Sequence, residues 1–169
     1  CDKGKHQDVS GNKTCLSCKV GQYTNGVGAV NCLECNSGSY QNELGQVKCK
    51  SCDLGLYQDV MGNTTCRDCP KGFFNKAQRS TSCNAVPPGF YNVNGTSTKC
   101  DPGYFCGGGV ANQTACAPGF YATKVGSIAC IECAPGTYAD SFGTTTCNEC
   151  GDDAYQPESN ATKCIPVKA

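Results

Sequence analysis

Eighteen of the 169 residues are cysteine, and their spacing decides what chemistry they can do. Twelve of them form six C-x-x-C pairs: Cys15/Cys18, Cys32/Cys35, Cys49/Cys52, Cys66/Cys69, Cys130/Cys133 and Cys147/Cys150. Two such pairs can complete a tetrahedral thiolate shell around zinc. That scheme would strand Cys1, Cys83, Cys100, Cys106, Cys116 and Cys164. A redox C-x-x-C calls for a βαβ context, which the flanking residues do not supply. An even, dense set of cysteines instead points to disulfides formed in an oxidising compartment.

Other reactive groups are scarce. His6 is the only histidine, and it stands where sister segments carry an aromatic ring. No second histidine or glycine-flanked serine accompanies it, and no calcium loop of the D-x-D-x-D-G type occurs, so neither catalysis, a cofactor nor a metal is expected. Five N-x-S/T sequons are the clearest functional marks: Asn12, Asn63, Asn94, Asn112 and Asn160. Asn12 and Asn63 share one setting, Gly-Asn-x-Thr-Cys, which predicts exposed acceptors for N-linked glycan after a turn. The run Thr144-Thr145-Thr146 is a further candidate, for O-linked sugar.

The elements that position these groups are repeats. Cys1, Cys18, Cys35, Cys52 and Cys69 recur every 17 residues, answered 14 residues later by Cys15, Cys32, Cys49, Cys66 and Cys83. The beat resumes at Cys116–Cys130, Cys133–Cys147 and Cys150–Cys164. Three residues after an opening cysteine stands a glycine, as in Gly21, Gly38 and Gly119; an aromatic follows two residues later, as in Tyr23, Tyr40 and Tyr121. A second glycine comes ten residues after the opening cysteine, as in Gly28, Gly45 and Gly143. The first glycine permits a turn of positive φ, and the aromatic begins a short extended segment. The second glycine turns the chain back through residues such as Gln46-Val47-Lys48. Each ring is expected to cover its own or the next disulfide as a miniature core. No segment keeps a helical apolar period beyond one turn. The fold class is therefore a small disulfide-rich repeat protein with hairpin-like loops, little or no helix and minor β.

Two connectivities compete. Each repeat can close on itself, or bonds can cross boundaries, joining Cys15 to Cys32 and Cys18 to Cys35. The one defect favours the first. Val86 stands where an opening cysteine is due, which leaves Cys100 without a partner, and Cys106 fits nowhere in the rhythm. Joining Cys100 to Cys106 uses both, whereas the crossing scheme strands Cys1 and Cys164. Each 15-residue loop is worth roughly 3 kcal/mol in the chain-entropy description.

Ordinary apolar residues are few: there is no Trp and one Met. Cross-links must supply what burial cannot. Formal net charge is zero with no basic run, so nucleic-acid partners have no electrostatic basis. No apolar stretch approaches a membrane span, and direct insertion is not expected. The chain opens on Cys1 without a signal peptide and is read as a processed chain or a segment of something longer.

C-x-x-G-x-Y/F followed by a closing cysteine resembles the ephrin-receptor-like cysteine-rich repeat. It is similar to the single-disulfide module of tumour necrosis factor receptors. The run Cys100-Asp-Pro-Gly-Tyr-Phe-Cys106, followed by Cys116-Ala-Pro-Gly-Phe-Tyr, resembles long arrays in extracellular proteins of protists and algae. The resemblance implies an extracellular or cell-surface setting and leaves function open, because such repeats serve receptors, adhesins, surface antigens and filaments alike.

The resulting expectation is an elongated rod whose repeats touch only their neighbours. Two strands per repeat suggest about 10 Å of rise, and ten repeats a rod on the order of 100 Å. Residues 1–99 form six repeats, 100–115 an irregular linker repeat, and 116–169 three repeats plus a tail. Both ends break mid-pattern, so head-to-tail self-association, or contact with other extracellular glycoproteins, is expected. The first functional reading is a structural subunit of an extracellular glycoprotein filament or coat, flagellar-hair-like or adhesive. The alternative is the ligand-binding or spacer ectodomain of a surface receptor or antigen.

Overall fold

The computed structural model describes residues 1–8 and 14–168. Among them there is no helix, and twenty short strands pair off into two-stranded sheets. Each pair lies within one repeat. Lys5–His6 runs antiparallel to Leu16–Ser17, Ser39–Tyr40 to Lys50–Ser51, and Thr137–Tyr138 to Asn148–Glu149. The returning strand is not the segment just after the second glycine, as the sequence suggested. It is the dipeptide inside each C-x-x-C. Closing cysteine, strand and next opening cysteine thus form one continuous joint, which explains why the spacing inside the pair never varies.

Backbone contacts divide the chain into two compact units. The first comprises Cys1–Pro70, Phe74–Asn84 and Asn94–Thr96; the second comprises Lys71–Phe73, Ala85–Val93 and Ser97–Ala169. Both are built by the same ladder of hydrogen bonds between successive repeats, described here by counting the opening residue as place 0.

Place 3 donates its N–H to the place-6 carbonyl of the following repeat. In the first unit Gly21 reaches Gln41 at 2.6 Å and Gly38 reaches Gln58 at 2.7 Å; in the second, Gly119 reaches Ala139 at 2.8 Å. The place-6 amide donates onward to place 11, as in Gln41 to Asn63 at 3.2 Å and Ala122 to Thr144 at 3.1 Å. Place 10 donates back to place 0 of the preceding repeat, as in Gly45 to Cys18 and Gly143 to Cys116, both 2.8 Å. Three main-chain bonds per step satisfy groups that isolated dipeptide strands would leave unpaired.

The ladder packs more tightly than a nearest-neighbour stack. A Cβ placed on Gly21 would lie 1.9 Å from the Gly62 carbonyl oxygen, two repeats on, and one on Gly119 would lie 2.1 Å from that of Asn160. The expectation that repeats touch only their neighbours is therefore corrected: within each unit, place 3 abuts the place-10 backbone of the next repeat but one. Only a residue without a side chain permits that approach, and place 3 also needs positive φ, +78° at Gly21. Place 10 has the same conformational demand without the same crowding. It tolerates Arg79 at φ 61° and Asn160 at φ 50°, where the second glycine of the repeat is missing.

The buried layer is largely sulfur. Cys18, Cys35, Cys52, Cys100, Cys116 and Cys133 are all 0% exposed. Val86 takes the same place with 2% exposure. Its main chain keeps the cysteine's duties, donating to Gly72 at 2.8 Å and accepting from Gly109 at 2.7 Å. Repeat 6 departs from the others in a second way. In place of a disulfide-closed loop it carries two four-residue strands, Phe90–Val93 and Thr96–Lys99. Asn94 and Gly95 turn between them with φ of 49° and 79°, the paired positive angles a tight hairpin requires.

Candidate functional site

Nine disulfides close the array. Each of eight joins cysteines 14 residues apart: Cys1–Cys15, Cys18–Cys32, Cys35–Cys49, Cys52–Cys66, Cys69–Cys83, Cys116–Cys130, Cys133–Cys147 and Cys150–Cys164. The ninth, Cys100–Cys106, spans six residues, and no cysteine is free. Every disulfide thus lies within one repeat, and none crosses a repeat boundary. Cys106 lies at place 6, a position buried in repeats 2 to 5, 8 and 9, so the partner of Cys100 comes from the strand side of its own loop.

His6 lies with its Nδ1 3.2 Å from Cys32 Sγ, over the disulfide of the following repeat. Its neighbours Cys18 and Cys32 bring three potential ligand atoms within 4.8 Å of one another. Both sulfurs are committed to the Cys18–Cys32 bond, so neither is a thiolate able to ligate a metal. The ring of His6 lies against this disulfide, at the place that carries an aromatic in other repeats. Phe74 is buried and Tyr23, Tyr40, Tyr57, Tyr121 and Tyr138 are half-buried, whereas Tyr155 is exposed.

The four described sequons fall at loop tips. Asn94, Asn112 and Asn160 are exposed. Asn63 is half-buried: its carbonyl accepts from the Gln41 amide, and its Oδ1 accepts from the Thr64 amide at 2.9 Å. Asn12 lies outside the described residues. Surface hollows are shallow. One of about 180 Å³ is lined by Tyr23, Asn36, Ser39, Lys48 and Arg79 among others, and one of about 400 Å³ is a concavity of the loop from Gln156 to Ile165.

A column of residues that the sequence reading passed over holds the loops in shape. Place 6, directly after the aromatic, carries Gln7, Thr24, Gln41, Gln58, Asn75, Asn92, Cys106, Ala122, Ala139 and Gln156. Glutamine here staples its own loop. Gln58, wholly buried, donates from Nε2 to the Thr65 carbonyl at 2.6 Å and accepts the Val60 amide at 3.0 Å. Gln41 and Gln156 repeat both bonds, and Gln7 donates to the Thr14 carbonyl. The shorter asparagine reaches the preceding repeat instead: Asn75 Nδ2 donates to the Leu56 carbonyl at 2.6 Å while its Oδ1 accepts the Gly55 amide. The signal was a polar amide recurring at one register beside an aromatic, where an alternating strand turns inward.

Residues 28–64 and 38–85 match the family described as tyrosine-protein kinase ephrin type A/B receptor-like. Eight evenly spaced disulfides and a ninth, shorter one decide the architecture. The chain is a cysteine-rich repeat array, and its residues 28–85 are similar to the ephrin-receptor-like family. No curated protein matches the sequence. The matched residues span repeats 2 to 5 of this array, where the cysteine spacing, first-glycine and aromatic columns are intact and only the second glycine of repeat 5 is replaced, by Arg79; the self-closed loops continue to Cys164 with one variation at repeats 6 and 7. Such closed disulfide ladders are the construction of extracellular domains, and among the described residues no helix is long and apolar enough to cross a membrane.

Proposed function

We propose that this array is a non-catalytic structural subunit of an extracellular glycoprotein filament or surface coat. The observation that carries the reading is the ladder itself. In most repeats the same donors at places 3 and 6 and the same acceptor at place 0 face the next repeat, so the backbone is a tape that accepts another repeat without redesign. Sequons at the loop tips suit a sugar-covered surface. Electron microscopy of native material tests the reading: helical fibres or a regular coat are expected, and dispersed monomers at high concentration would rule it out.

A second reading is supported by the family match. Ephrin-receptor-like repeats suit the spacer or ligand-binding ectodomain of a surface receptor or antigen. A membrane-spanning segment encoded in the same full-length gene would favour it over the filament.

A further inference from the structure

The loop tips carry two kinds of surface that divide the array between them. Places 9 and 12 flank the place-10 turn, and in repeats 2 and 3 they hold Val27, Val30, Leu44 and Val47, with Val27 74% and Leu44 64% exposed. Repeats 8 and 9 present Val125, Ile128 and Phe142 in the same register, with Ile128 62% and Phe142 73% exposed. The sequons lie in other repeats: Asn63 in repeat 4, Asn94 in repeat 6, Asn112 in repeat 7 and Asn160 in repeat 10, with Asn12 of repeat 1 outside the described residues and none in repeat 5. Each apolar pair of tips is thus bracketed along the chain by N-x-S/T sequons and contains none itself. Repeat 4 marks the border, keeping an exposed Met61 at place 9 beside Asn63.

Scattered apolar residues on a surface need no explanation, but a patch in one register, repeated in each compact unit, does. Within the first unit the tips of repeats 2 and 3 are held in step by the ladder, through Thr24 to Gln46 at 3.1 Å and Gly45 to Cys18 at 2.8 Å. The side chains are therefore presented together on a rigid backbone. Two tips in the second unit are fixed the same way, by Ala122 to Thr144 and Gly143 to Cys116.

We infer that these two apolar pairs of tips, which hold no N-linked acceptor, are contact sites for a second copy of this chain. The inference rests on the filament reading and names the surface it would use. A second copy fits on two grounds. Both patches have the same chemistry at the same register, so either can face its like across a self-complementary contact. The chain has 14 basic and 14 acidic residues, so copies approach without net repulsion. Glycans on either side would confine the contact to the bare tips.

The test installs a sugar inside the patch. Gln46→Asn with Lys48→Thr creates an acceptor at place 11 of repeat 3, the place that Asn63 holds in repeat 4. A matching acceptor made by Ser80→Asn with Ser82→Thr, at place 11 of repeat 5 and outside both patches, serves as the control. Sedimentation velocity over a wide concentration range reads self-association of the intact glycosylated chain, and non-reducing peptide mapping confirms that each variant keeps its disulfides. The wild type and the control are expected to associate alike. The patch glycan, or Leu44→Glu with Phe142→Glu, should weaken association at least tenfold. Association unchanged in the patch variants overturns the inference. If native fibres also persist with those variants, the filament reading stands while its surface is reassigned. A monomeric wild type at every concentration also overturns the inference, and native fibres would then have to be built with another glycoprotein.

Discussion

Substituting alanine for Gly21 isolates the contact that distinguishes this stack from a simple chain of neighbours. A Cβ there meets the Gly62 carbonyl oxygen at 1.9 Å, far inside the 3.0 Å that real Cβ atoms keep, and the obstacle is backbone that cannot swing aside. The φ of +78° adds about 1–2 kcal/mol of left-handed strain for a residue with a side chain. Relief requires repeats 2 and 4 to part, which lengthens the bonds from Gly21 to Gln41 and from Gly62 to Cys35, each worth about 1 kcal/mol. The sum is about 3–4 kcal/mol. Gly136 supplies the control, because it holds the same place 3 at φ +85° with nothing within 4 Å of its virtual Cβ. Gly136→Ala should therefore cost the strain alone, about 1–2 kcal/mol. Nine cross-links make a global melt a poor reporter, so native-state hydrogen exchange is the assay. The amides of Gly21, Gln41 and Gly62 should lose two to three orders of magnitude of protection, since every ~1.4 kcal/mol is tenfold. Equal losses for the two variants, within about 0.5 kcal/mol, would refute the next-but-one contact as an energetic feature.

Three further substitutions probe the other columns. Gln58→Ala removes both bonds of a buried staple and should cost about 1–3 kcal/mol, read as faster exchange at the Val60 amide. Arg79→Gly relieves a left-handed residue whose exposed side chain the turn does not need; a gain of about 0.5–1 kcal/mol should appear as slower exchange of the amide at position 79, which donates to the Cys52 carbonyl. Val86→Ala hollows the one non-sulfur opening place and should destabilise by about 1–2.5 kcal/mol, read as faster exchange of the amide at position 86, leaving all nine disulfides intact by mass.

Much of this was legible in the residues because covalent chemistry leaves a rigid spacing. A cysteine pair that must close at a fixed separation forces a fixed register, and glycine at place 3 follows from that register. The partner of Cys100 could be read from what Val86 left over. Less visible was where the strands pair. Dipeptide strands carry no periodicity, so Lys50–Ser51 looked like a spacer when it is the return strand of its hairpin. The place-6 glutamines were missed because polar residues are expected outside, and only the geometry shows Gln41 and Gln58 turned inward onto their own loops. The crowding at Gly21 was equally hidden, because a glycine needed for φ and a glycine needed for space are the same letter.

The account stands most directly on the pairing of the C-x-x-C cysteines. Non-reducing digestion with electron-transfer fragmentation, cutting between the two cysteines of each pair, reads it. The self-closed array predicts Cys15 with Cys1, Cys18 with Cys32, and Cys100 with Cys106. A Cys15–Cys32 or Cys18–Cys35 cross-link in the folded protein would contradict it.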